Sequence, residues 1–136
     1  MKVFISHAAE DRETAALLAA QLQREGLNVW TFNQIEPGEN WAQRLGKEIA
    51  AADLIVFLMT GASIRSDFVR HEIEFALTQE HYKDRVITAI LDDASQQQVP
   101  WILRTLPRVH ADATESGIER VTQAVVSLAR KACHAD

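Results

Sequence analysis

Cysteine is nearly absent. Cys133, three residues from the C-terminus, is the only one in 136 residues, so neither a disulfide framework nor a thiolate metal site can be built, and the expected compartment is reducing. Basic clusters are missing as well. Fourteen Lys and Arg against nineteen Asp and Glu leave a net charge of −5, and the basic residues are scattered, which argues against a nucleic-acid surface built on phosphate neutralisation. The longest apolar run, Leu54 to Met59, falls far short of the ~20 residues that cross a bilayer. Met1 leads straight into Val3, Phe4 and Ile5, too short and wrongly flanked for a signal peptide, so no membrane association and a cytoplasmic location are expected. Three Pro and five Gly beside 47% hydrophobic residues exclude disordered, collagen-like and low-complexity chains. At this length one domain spanning residues 1–136 is expected, burying roughly two thirds of the surface its unfolded form exposes.

Several catalytic signatures are missing too. No Gly-rich phosphate loop follows any apolar run, and no G-x-S-x-G turn exists to expose a serine nucleophile. His7, His71, His81, His110 and His134 are scattered without an HxxxH pair, so no metal and no bound cofactor are expected.

What the chain does have is alternation. Lys2–Ser6 reads as a short buried strand, followed by a helix with Ala15, Leu18, Ala19 and Leu22 at helical spacing and Gly26 placed to end it. Leu27–Phe32 is a second strand. The loop Asn33–Asn40 holds the turn pair Pro37 and Gly38, and Trp41, Leu45 and Ile49 then mark a second helix. Leu54–Met59 is a central strand buried on both faces. Thr60–Arg65 reads as its exit loop, and Ser66 caps the next helix. Arg85–Leu91 is a fourth strand, Trp101–Leu106 a helical turn, Arg108–Ala111 a fifth strand, and a last helix begins near Thr114. Such alternation predicts an α/β domain, a flavodoxin-like three-layer fold whose five-stranded parallel sheet runs in the order 2-1-3-4-5 with helices on both faces. Its winding reverses between strands 1 and 3, which opens a crevice at their carboxyl ends. A phosphoacceptor receiver domain shares that topology; Glu10 and Asp11 could mimic its acidic pair, but strand 3 ends in Met59, Thr60 and Gly61, with no aspartate to accept the phosphoryl group.

One carboxylate stands out. On the helix after Ser66, Glu72 has Phe68, Val69, Phe75 and Ala76 as its three- and four-residue neighbours, so no cation can pair with it locally. Glu74 is the control, with Arg70 and His71 one turn before it. Glu72 lies ~9 Å along a helix bordering the crevice. It reads either as a boundary residue reaching solvent or a loop donor, or as a functional carboxylate in the default ligand site.

The segments KVFISHAAED, GLNVW, IEPGENW, ADLIVFLMT and SIRSDFVRHEIEFAL, in this order and spacing, resemble a TIR (Toll/interleukin receptor) domain of the small bacterial kind, nearly end to end. The resemblance implies either an enzyme that cleaves NAD+ at the nicotinamide-ribose bond or a non-catalytic scaffold acting by TIR-TIR association. In the enzymes a glutamate on the helix after strand 3 is central, and Glu72 is the matching residue. Ser6, His7, Trp41, Ser66 and Phe68 would line the pocket, Phe68 standing where the family usually has Trp. Ala8 and Ala9 follow His7 where family enzymes often carry a basic residue. NAD+ would be substrate, giving ADP-ribose or a cyclic isomer, and in anti-phage systems such a product signals to a separate effector. Ile35, Glu36, Pro37 and Gly38 match the loop through which such enzymes self-associate. A nucleoside deoxyribosyltransferase also uses a glutamate on a related fold, but IEPGENW does not suggest one.

Overall fold

The computed structural model describes residues 1–31, 40–78, 85–91 and 103–134, and for residues 41, 42, 67, 68, 104 and 132–134 it describes the backbone alone. Strands and helices alternate as β1 (Lys2–Ser6), α1 (Arg12–Arg24), β2 (Asn28–Thr31), α2 (Trp41–Ala51), β3 (Leu54–Met59), α3 (Gly61–Ile64), α4 (Asp67–Ala76), β4 (Val86–Ile90), β5 (Arg108–His110) and α5 (Glu115–His134). The five strands form one parallel sheet in the order β2-β1-β3-β4-β5, as the alternation predicted. All six residues of β3 are buried, which is why that segment reads as an unbroken apolar run instead of alternating.

The pleat of the sheet sorts the core into two layers. Phe4, Ile55, Phe57, Met59, Val86 and Ile90 point to one face, where Leu45 and Ile49 of α2 and Val69, Ile73 and Ala76 of α4 cover them. Val3, Ile5, Val56, Leu58 and Ile87 point to the other, under Leu18 and Leu22 of α1 and Ile118, Val121 and Val125 of α5. Each such aliphatic side chain contributes about 1.5–3 kcal/mol on burial. Ser6 is in register with Phe57, and residues side by side in a parallel sheet share a face. The pleat therefore turns Ser6 toward the α2/α4 layer.

Helix ends follow their local chemistry. Gly26 takes a left-handed φ of 88°, letting Leu27 N–H reach Leu22 O at 3.1 Å and Gly26 N–H reach Gln23 O at 3.0 Å, a Schellman cap on α1. The Asn40 side chain accepts from Gln43 N–H at the start of α2. Boundaries differ from expectation by a residue or so: β2 begins at Asn28 rather than Leu27, residue 32 lying outside the described residues, and β4 and β5 are trimmed to Val86–Ile90 and Arg108–His110. Of the expected turn at 101–106, Leu103–Thr105 forms one turn of 3-10 helix, and 101–102 lie outside the described residues. The segment expected as an exit loop after β3 contains a helical turn, α3. Thr60 and Ser63 hold each other's backbone N–H groups there, a reciprocal cap that closes the turn immediately beyond the strand.

Candidate functional site

The carboxyl ends of β1 and β3 open side by side at the point where the order of winding reverses. β1 delivers Ser6, 1% exposed, and the chain continues into His7, 5% exposed. Beyond β3 the Thr60 hydroxyl donates to Asp11 Oδ2 at 2.6 Å while accepting from Ser63 N–H at 3.1 Å. One side chain thus ties the segment after β1 to the segment after β3 and fixes the two edges of the crevice relative to each other.

α4 starts beside this latch. Ser66 Oγ accepts from Val69 N–H at 3.2 Å, the N-cap that the sequence predicts. The cap and the core stripe of Val69, Ile73 and Ala76 set the helix rotation, and that rotation turns Glu72 inward. Glu72 is 2% exposed, both of its oxygens are shut off from solvent, and neither has a hydrogen-bond partner. It does not reach solvent as a boundary residue would.

Burial raises the Glu72 carboxyl from an ordinary 4.5 to about 8, with the nearby Ser6 hydroxyl pulling weakly the other way. That pull falls short of a hydrogen bond, since Ser6 Oγ also lacks a partner, and burial dominates. Glu48 on α2 shows what the same fold does with a structural carboxylate. It too is buried, which by itself raises its pKa, but Lys2 Nζ at 2.5 Å and Arg44 Nε at 3.1 Å outweigh that effect and hold it below the usual carboxylate value. Glu74, two residues along on the outer face of α4, is exposed.

His7 Nδ1 lies 2.8 Å from Ala8 O. A carbonyl only accepts, so Nδ1 donates, and in the neutral ring the lone pair resides on Nε2, which is buried and unpartnered. Ser6 Oγ, His7 Nε2 and the Glu72 carboxyl are thus three buried polar groups left without partners at the crevice end of the sheet and on the helix beside it. Unpartnered buried polar groups cost about 1–3 kcal/mol each, and their concentration here marks a place where a ligand can supply what the chain does not.

Of the other residues read as pocket lining, Ser66 is committed to its cap. Trp41 begins α2 and Phe68 is the second residue of α4, one turn before Glu72 on the same helix, but their side chains lie outside the described set. Ile35, Glu36, Pro37 and Gly38 fall in residues 32–39, also outside it. Thr60 and Ser63, which build the latch, are not singled out by sequence, and Asp11 only as half of a possible acidic pair with Glu10; the pair of hydroxyl residues three apart after an apolar strand was the available signal.

The family model described as TIR domain matches residues 3–125. The chain belongs to the TIR domain family. Among solved structures, a TIR-STING receptor from C. gigas aligns with a TM-score of 0.78 at 19% identity, covering 90% of this chain and 38% of that one. The TIR domain of the Toll-related receptor TRR-2 from Hydra magnipapillata aligns at 0.68 and 19% identity, covering 79% and 82%. A CMP N-glycosidase from Clostridium botulinum aligns at 0.62 and 15% identity, covering 89% and 97%. At these identities the structural likeness speaks for the fold, and this TIR domain spans about two fifths of the TIR-STING chain. No curated protein matches it by sequence. No helix among the described residues is long and apolar enough to cross a membrane.

Proposed function

We propose that this TIR domain is an NAD+ nucleosidase or cyclase that breaks the bond between nicotinamide and ribose, with Glu72 as its catalytic residue. The observation that carries the reading is a carboxyl group buried to 2% exposure, with neither oxygen partnered, beside the carboxyl ends of β1 and β3. In the reaction the C1′–N bond breaks, its electron pair leaves with nicotinamide, and the ring departs neutral, so no general acid is required. The positive charge passes to C1′ and the ribose ring oxygen. A carboxylate beside the ribose stabilises that cation and accepts hydrogen bonds from the ribose hydroxyls, more strongly where water is excluded. By the family resemblance Ser6, His7, Trp41, Ser66 and Phe68 are the residues assigned to the substrate pocket. Water as acceptor gives ADP-ribose; attack from within the molecule gives a cyclic isomer. Such a product fits a role in bacterial immune signalling through a separate effector, with assembly through the segment Ile35, Glu36, Pro37 and Gly38.

The test is incubation with NAD+ over a range of protein concentrations, followed by mass spectrometry. Nicotinamide release that disappears in Glu72→Gln and persists in Glu74→Gln is the expected result. A scaffold acting only through TIR-TIR association would consume no NAD+ at any concentration. CMP belongs in the same assay because a protonated Glu72 could serve as a general acid toward a nucleotide whose leaving base is uncharged. Cytosine release in place of nicotinamide would overturn the assignment.

A further inference from the structure

Among the described residues, no charged side chain partners Glu72, and that limits what a site built on it can hold. Its oxygens are buried and unpartnered, and among the described residues no cation offsets its burial. On α4 itself, Arg70, His71 and Glu74 are exposed, as is Arg65 just before the helix. Asp11 is engaged by Thr60, Ser63 is engaged in the α3 cap, and Arg108 on β5 is exposed. From β1 come the uncharged Ser6 and then His7, whose Nδ1 proton is committed to Ala8 O. An ionised carboxylate in a dry site without a cation is costly, and such a group holds a proton until a positive charge arrives.

We propose that Glu72 makes the pocket selective for a ligand carrying a fixed positive charge, which it admits by giving up its own proton; a pyridinium nucleotide is bound in exchange for one proton, and a nucleotide whose dihydropyridine ring is uncharged is not. The proposal rests on reading the pocket as a site for NAD+, and it adds what selects that ligand. In the exchange the Glu72 O–H bond breaks, its electron pair stays on the carboxylate, and the proton passes to the buffer. The pyridinium nitrogen has no proton to lose, so its charge remains in the pocket as the partner that no described residue supplies. The high pKa of the empty site supports this, because at neutral pH most molecules hold the proton to be exchanged.

The experiment is titration calorimetry with the carbocyclic analogue of NAD+, which keeps the pyridinium but cannot be cleaved, and with NADH, in two buffers of different ionisation enthalpy. The analogue should release close to one proton per molecule bound at pH 7, and its affinity should rise about tenfold per pH unit up to pH 8 and then level off. NADH should bind more weakly, with no proton release and no such pH dependence. Glu72→Gln should lose both the proton release and the preference between the two ligands. Binding of the analogue without proton release, equal binding of NADH by wild type, or no binding of the analogue at millimolar concentration overturns the proposal. The catalytic reading fails separately: proton-coupled binding of the analogue with no nicotinamide release from NAD+ would sink the nucleosidase and leave the cation site standing. Nicotinamide release with no proton exchange would do the reverse.

Discussion

Replacing Glu72 by Gln keeps the shape of the side chain and removes its proton chemistry, so the pH dependence of stability isolates what burial of this carboxyl costs. In the folded protein the group titrates near 8, against 4.5 for an ordinary glutamate. Below pH 4.5 both the folded and the unfolded chain hold the proton, and Glu72 imposes no charge penalty. As pH rises the unfolded chain ionises first and is favoured, so stability is lost progressively until the folded group also ionises, near pH 8. At 1.36 kcal/mol per pH unit the interval sets a ceiling of about 5 kcal/mol, and water entry with local relaxation takes the observed value below it. Glutamine does not titrate, and its own buried amide adds an offset that is constant with pH. The melting temperature of Glu72→Gln minus that of wild type should therefore grow between pH 5 and pH 8.5, by roughly 10 °C at about 3–4 °C per kcal/mol for a chain of this size. Thermal melts by circular dichroism at closely spaced pH values read this directly. Two curves that run parallel across the interval would refute the claim that Glu72 is buried without a partner.

Two further predictions concern the scaffold around the site. Thr60→Val removes both the donor to Asp11 and the cap acceptor for Ser63 N–H; a loss of about 1–3 kcal/mol is expected from chemical denaturation, and Thr60→Ser should recover most of it. The Arg85 guanidinium donates to the carbonyls of Ala50 and Ala52 at the end of α2, so Arg85→Ala should cost about 1–2 kcal/mol and speed amide exchange in the last turn of that helix while leaving α4 unchanged.

The sheet was legible because its information is local. An unbroken apolar run such as Leu54–Met59 can be buried on both faces only inside a parallel sheet, and Gly26 announces the left-handed cap that it forms. Ser66 as the start of α4 was legible for the same reason, since its hydroxyl bonds within the next turn. The errors fall where competition between alternatives decides. Thr60–Arg65 carries few helix signals, and a short helix forms there because Thr60 and Ser63 satisfy each other's backbone groups while Asp11, 49 residues earlier, pins Thr60 in place. Nothing in the local sequence specifies that long-range bond.

The two buried glutamates show the same division more sharply. Both sit on amphipathic helices packed against the same face of the sheet, and the sequence around each gives half of its environment. Glu48 has Arg44 one turn before it, and the fold adds Lys2 from the start of β1, a partner 46 positions away. Glu72 has only apolar residues one turn away on either side, which the sequence states plainly, and the open question there was whether the fold would bring it a distant cation as it does for Glu48. Among the described residues it brings a serine hydroxyl instead, and that hydroxyl is unpartnered itself. Since the fold can neutralise a buried carboxylate from 46 residues away, the lack of a cation at Glu72 among the described residues belongs to this position and not to the architecture. A carboxylate meant only to fill space would have been better replaced by a residue without charge. The arrangement makes physical sense for a position whose counter-charge arrives with a ligand.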